Sequence, residues 1–240
     1  PAEKDISAIF QFSPRLYGRD KETAALKRIY NQIKKGRAGV VLISGYAGSG
    51  KTALVNEFLK PLARHSKGYF VSGKSDQLHY GKPYISFIQA FQELLQEILA
   101  EDQERLLQWR RVLLQALGAG GAVLTPLLPE IELITGPLTP VEELPPAETK
   151  NRFLLVMKSF IQAFTRQGCP LVIFLDDLQW ADEASLELLK NLAFSPENRF
   201  LLLIGAYRGH EVTGEHPLAA AIAELKRRKA ILREMNLAEL

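Results

Sequence analysis

Eight consecutive residues constrain this chain more than any others: Gly45-Tyr46-Ala47-Gly48-Ser49-Gly50-Lys51-Thr52. They follow the apolar run Gly39–Ser44 (GVVLIS) and lead into a helical pattern over Thr52–Lys60, which Pro61 should end or kink. Strand, glycine-rich loop and helix in that order is the context in which the spacing GxxxxGK[ST] has a physical meaning. Successive backbone N–H groups of such a loop point inward as an anion nest, and the N-terminus of the helix adds its dipole. Gly45, Gly48 and Gly50 allow backbone geometry and a close approach that a Cβ would block. Lys51 is placed to reach the β- and γ-phosphates of a nucleotide, and the Thr52 hydroxyl to ligate Mg²⁺.

A loop of this kind needs a parallel sheet around it, and the remaining apolar runs supply one. Tyr69–Gly73, Pro170–Leu175 (PLVIFL) and Phe200–Tyr207 (FLLLIGAY) read as further strands, the last two apolar throughout, as in strands covered on both faces. Ala230–Leu237 is a more polar candidate for a fifth. Helical periodicity predicts α-helices over Arg19–Lys35, Glu183–Phe194 and Leu218–Lys229. Strand–helix alternation of this kind predicts a doubly wound α/β fold with a five-stranded parallel sheet. The stretch between strands 2 and 3, about 75–169, is too long for one crossover. Helical patterns at Ile85–Ala100, Gln103–Leu117 and Lys150–Gln167 mark it as a helical insertion, with Gly118–Leu144 as an irregular, partly buried segment. The 240 residues together are read as one nucleotide-binding domain.

Composition narrows the function classes. Hydrophobic residues make up 47% and charged residues 24%, so the chain has enough apolar surface to offset chain entropy and fold. A net charge of +3 with scattered Lys/Arg pairs argues against a nucleic-acid partner. No apolar run approaches the roughly 20 residues of a membrane span, and no signal peptide is visible, so a cytoplasmic, non-membrane protein is expected. Cys169 is the single cysteine and reads as a buried structural thiol. The histidines His65, His79, His210 and His216 lack metal-ligand spacing. A start at Pro1 suggests a piece of something longer.

Two further signals bear on chemistry. Leu171–Asp177 (LVIFLDD) is an apolar run that ends in two carboxylates at the C-terminal edge of the sheet, where such folds bind ligands. Adjacent carboxylates repel, and a cation keeps both ionised. Asp176 is assigned to Mg²⁺, through a bound water, and Asp177 to orienting or deprotonating the attacking water. Arg208 follows the fourth strand directly and is a candidate to sense the γ-phosphate; the competing reading is a surface pair with Glu211. Tyr207 and Trp180 read as packing residues.

With these residues in view the chain resembles the STAND-type signalling ATPases of the AAA+-like P-loop (ASCE) class, and more narrowly the ATPase module of large bacterial sensor and Ser/Thr kinases. The resemblance rests on Leu16-Tyr17-Gly18-Arg19-Asp20, Gly45–Thr52, Gly73-Lys74-Ser75-Asp76-Gln77, Pro145–Glu148 with Asn151-Arg152-Phe153, Leu175–Asp182 (LDDLQWAD), and Gly205–Arg208 with Glu211-Val212 and His216-Pro217-Leu218. It implies a slow ATPase that switches conformation between ATP and ADP states. Its implied partners are neighbouring kinase or sensor domains of a larger signalling chain, with a nucleotide-dependent oligomer compatible with the class. It matches Lys51 and Thr52 to the Walker A lysine and metal ligand, Asp176 and Asp177 to the Walker B pair, and Arg208 to the first sensor. Tyr17, Gly18 and Arg19 match the segment near the adenine. Gly209-His210 depart from the usual Asp-Asn, and the lid and winged-helix parts usual in the class have no evident counterpart. The rival expectation is a non-hydrolysing ATP/ADP-binding scaffold; a GTPase is disfavoured because no [NT]KxD motif occurs.

Overall fold

The computed structural model describes residues 18–77, 83–228 and 231–238. Tyr17 and His79 lie outside the described residues. Five strands form one all-parallel sheet: β1 (Ala38–Gly45), β2 (Tyr69–Lys74), β3 (Leu171–Asp176), β4 (Leu201–Tyr207) and β5 (Leu232–Leu237), in the order β2-β3-β4-β1-β5. β1 is therefore interior, with Val41 opposite Ile204 on one side and Arg233 on the other.

The apolar runs are continuous because alternate residues enter two different cores. Val40, Leu42, Ile173, Leu175 and Leu203 face one, while Val41, Ile43, Val172, Phe174 and Ile204 face the other. α1 (Asp20–Lys34) covers the second face with Leu26, Tyr30 and Ile33. It is joined there by the helix after the glycine loop, which departs from expectation. That helix does not end at Pro61; it runs as α2 (Lys51–Leu54), a π-helical turn (Val55–Leu59) and α3 (Lys60–His65). The Lys60 N–H donates to the Val55 carbonyl, five residues back, and the widened turn accommodates a ring that has no N–H to give.

The insertion comprises α4 (Ile85–Leu99), α5 (Gln103–Leu117), α6 (Glu130–Thr135) and α7 (Pro146–Gln162). Its apolar residues join those of the first sheet face in one core that also receives α8 (Glu183–Phe194) and α9 (Pro217–Arg227). Phe164 is central, with its ring centroid 5.1 Å from Trp109, 5.2 Å from Phe160 and 5.8 Å from Phe91. Gly118–Leu144 is less irregular than expected. It holds a 3₁₀ turn (Gly118–Val123) and α6, whose Ile131 and Ile134 are buried, a helix too short to display a period. α7 starts at Pro146 rather than Lys150, since proline fits the first helical turn where its missing N–H is not needed. Cys169 is buried and free, as expected.

Close packing of α4 positions one edge of the site. A Cβ on Gly73 would lie 1.7 Å from the Ser86 carbonyl oxygen, so only glycine lets β2 and α4 approach this closely. Lys74 then ends β2 in register with Asp176 at the end of β3.

Candidate functional site

The glycine loop joins β1 to α2 at the C-terminal edge of the sheet. Gly48 and Gly50 adopt φ of +78° and +84°, the left-handed region that favours glycine. At Gly45 a Cβ would sit 2.6 Å from Ser49 Oγ and 2.7 Å from the Leu237 carbonyl, so a side chain there would fill the turn. Lys51 is buried, and its Nζ donates to the Gly45 carbonyl at 3.1 Å and the Tyr46 carbonyl at 2.7 Å, arching the side chain over the loop. Burial lowers the Lys51 pKa, and Asp176 and Asp177 only partly offset it. The ammonium thus has less negative charge around it than its burial calls for, a condition that an added anion relieves.

Arg19 is 5% exposed and acts on the same loop. Its Nη2 donates to the Ser49 carbonyl at 2.9 Å and to the Ala238 carbonyl, beyond β5, at 2.6 Å. Gly18 precedes it with φ +79°. Tyr46 and Ala47 are exposed, and the Tyr46 ring stacks on His210 at 5.2 Å and 20°. A cleft of about 760 Å³ opens here, lined by Gly45, Tyr46, Gly209, His210, Asn236 and Leu237 among others.

The sheet brings the paired carboxylates to this loop. The Thr52 hydroxyl donates to Asp176 Oδ2 at 2.7 Å, and Asp176 Oδ1 accepts the Asp177 N–H at 2.9 Å. A hydroxyl and a carboxylate side by side are the hard oxygen donors that suit Mg²⁺. Among the described residues no group of three or more His, Cys, Asp or Glu side chains could hold a metal by itself. The Thr52 hydroxyl and Asp176 carboxylate fit Mg²⁺, whose shell phosphate oxygens and water would complete.

Asp177 leaves the strand in a left-handed conformation, φ +52° and ψ +45°. Lys74 Nζ lies 3.1 Å from its Oδ2, Gln179 Nε2 donates to its Oδ1 at 2.9 Å, and Arg208 Nε lies 3.8 Å from Oδ1. Burial pushes the Asp177 pKa up, but the Gln179 amide, Lys74 and Arg208 outweigh it and hold the carboxyl below its usual range. Arg208 also makes the contact foreseen as its competing reading, with Nη1 2.8 Å from Glu211 Oε1. One guanidinium thus lies beside both Asp177 and Glu211.

The structure thus brings together Lys51, Thr52, Asp176, Asp177 and Arg208. It adds Lys74 and Gln179, to which sequence reasoning assigned no part in the site, and Glu211, foreseen only as a surface partner of Arg208. Lys74 and Gln179 stood in quoted motifs, yet only the β2–β3 register and the turn after β3 aim them at Asp177.

With this geometry in place, comparison with known proteins is decisive about kinship. The family model described as AAA ATPase domain matches residues 15–204. This chain belongs to that family. As an AAA ATPase domain it is a nucleotide-binding module. It is 37% identical over 180 residues to hybrid signal transduction histidine kinase G of Dictyostelium discoideum, covering 75% of this chain and 5% of that protein. It is 25% identical over 207 residues to histidine protein kinase 1 of Candida albicans, covering 79% of this chain and 8% of that one. The AAA ATPase domain thus spans a small fraction of either relative. Among solved structures, Cdc6p from Pyrobaculum aerophilum aligns with a TM-score of 0.51 at 12% identity, covering 94% of this chain and 46% of that chain, a likeness of fold alone. No helix among the described residues is long and apolar enough to cross a membrane.

Proposed function

We propose that this AAA ATPase domain binds Mg-ATP, hydrolyses it slowly, and serves as a nucleotide-dependent conformational switch within a larger signal-transduction chain. The observation that carries the reading is the 2.7 Å bond between Thr52 and Asp176, which joins the phosphate cradle to the carboxylates at the end of β3. In this reading the loop N–H groups and Lys51 hold the β- and γ-phosphates, and Thr52 and Asp176 hold the metal. Mg²⁺ neutralises charge on the phosphate oxygens when bound. Tyr17, Gly18 and Arg19 border the adenine. Water attacks the γ-phosphorus, the bond to the bridging oxygen breaks, and ADP leaves. Asp177, whose pKa is lowered, is a better orienting acceptor for that water than a proton abstractor. Arg208 faces the γ-phosphate once it parts from Glu211, and that pairing is consistent with slow turnover.

The switch reading includes a cytoplasmic setting, neighbouring kinase or sensor domains as partners, and nucleotide-dependent association of copies. The histidine-kinase names of both relatives support the signalling part. A non-hydrolysing ATP/ADP scaffold that docks neighbouring domains is the second reading, and the engagement of Arg208 by Glu211 favours it. Phosphate release from ATP and GTP, measured beside calorimetric affinities for wild type and Asp177→Asn, separates the two. Release from ATP alone, lost in Asp177→Asn with affinity retained, is the expected result. ATP binding without release leaves the scaffold, and absence of ATP binding sinks both.

A further inference from the structure

The side chain of Gln179 is 3% exposed and touches both chemical arms of the site. Its Nε2 donates to Asp177 Oδ1 at 2.9 Å, and its Oε1 accepts the Arg208 backbone N–H at 3.1 Å. This orientation of the amide is dictated by its neighbours: reversed, it would set two donors face to face and two acceptors face to face. We infer that Gln179 is a positioning residue that couples the Asp177 carboxylate to the end of β4 from which the Arg208 side chain departs, so that recognition of the γ-phosphate and turnover share one buried amide. The inference rests on the Mg-ATP switch reading and extends it to how the two arms stay in step.

The turn that carries Gln179 is held from two sides. Leu178 packs onto β4 at Gly205, where a Cβ would come within 2.2 Å of Leu178 Cδ1, so glycine admits the turn over the strand. From α9, His216 Nε2 lies 3.1 Å from the Gln179 carbonyl, while its Nδ1 accepts the Leu218 N–H at 3.1 Å and caps the helix. An Nδ1 that accepts leaves the proton of the neutral ring on Nε2, so that nitrogen donates to Gln179. The backbone of Gln179 is thereby fixed by β4 and α9, leaving the amide to answer to Asp177 and Arg208. A neutral amide suits the position. A carboxylate would repel Asp177, and an ammonium would compete with Lys74 for it while leaving the Arg208 N–H unmatched.

Two variants test the coupling. Gln179→Leu removes both bonds; Gln179→Glu keeps an acceptor for Arg208 and loses the donor to Asp177. The readouts are the affinity ratio of a non-hydrolysable ATP analogue to ADP by calorimetry, single-turnover phosphate release, and thermal melting to verify folding. Gln179→Leu should lower both the ratio and release by about tenfold, as the Arg208 N–H loses its acceptor and the Asp177 carboxylate a donor, with ADP affinity within about twofold of wild type. Arg208→Ala added to it should change the ratio little further. Gln179→Glu should keep the ratio and lose release, a split that a merely structural role would not produce.

A folded Gln179→Leu with unchanged ratio and release overturns the coupling, as does a loss of ADP affinity in step with that of the ATP analogue. If Gln179→Leu does not fold, the isosteric Gln179→Glu decides: release retained, or ratio and release lost together, overturns it. A wild type that binds ATP with preference but releases no phosphate refutes hydrolysis, while the ratio measurements still judge Gln179. A wild type with no preference overturns the coupling outright.

Discussion

The two flanks of the site are built in opposite ways. The phosphate cradle is local: eight consecutive residues from Gly45 to Thr52, shaped by backbone geometry at Gly48 and Gly50 and by the start of a helix. The opposite flank is assembled from distant segments, with Lys74 ending β2, Asp176 ending β3, Asp177 and Gln179 in the turn beyond, and Arg208 following β4. The cradle offers backbone donors, with Arg19 bracing the loop through the Ser49 carbonyl, whereas every charged group across from it is held by another side chain. Retention of the nucleotide should therefore depend mainly on the first flank, while turnover and discrimination of the γ-phosphate depend on the second and are open to adjustment.

Substitutions can break or sharpen that division. The largest effect is expected at Lys51→Ala, which should weaken ATP by about 100-fold through the loss of charge-assisted contacts to phosphate. Unchanged affinity in calorimetry would remove Lys51 from the cradle. Thr52→Val lies at the junction of the flanks and should cost about tenfold in Mg-ATP affinity. It should leave the affinity for ATP in excess EDTA unaltered, and equal losses in both conditions would deny the metal assignment.

Lys74→Met acts on the far flank alone. ATP affinity should stay within about twofold, since surface ion pairs contribute little, while phosphate release changes by several-fold as Asp177 loses one of its holds. A large affinity loss would show that the flanks are not separable.

The smallest effect concerns pH and stability in nucleotide-free protein. Asp177 has a folded pKa below its unfolded value, so its ionised form stabilises the fold above the unfolded carboxylate range, and this stabilisation is lost as pH falls through the folded pKa. Melting curves of wild type and Asp177→Asn should therefore converge as pH drops below that range. Added salt should shrink the difference, because Lys74 is largely exposed. A gap that is independent of pH would mean that Lys74 and Gln179 do not hold the carboxylate ionised.

Much of the fold was legible because its signals are local. The runs that became β1, β3 and β4 are buried on both faces and hence apolar throughout, and α5 and α8 begin and end where their patterns do. The misreadings came from positions where a neighbour decides. Pro61 was read as ending or kinking the helix, but the helix continues past it because a π-helical turn ahead gives the ring room. α6 is six residues long and owes its existence to the burial of Ile131 and Ile134 rather than to a visible period. The first turn of α7, Pro146 to Thr149, is exposed and carries no apolar stripe to announce it.

The candidate site divides along the same line. The sequence by itself determined the cradle, because an anion nest is a property of consecutive backbone N–H groups and of glycines that tolerate positive φ. It also named Asp176, Asp177 and Arg208 as candidates, since strand ends in a parallel sheet meet at one edge. Only the tertiary structure decided the long-range contacts of those groups: Thr52 on Asp176, and Lys74 and Arg208 on Asp177. Strand order and register set these pairings across as many as 124 residues of chain, the separation between Thr52 and Asp176. No local pattern encodes a distance of that kind; the sheet makes it short.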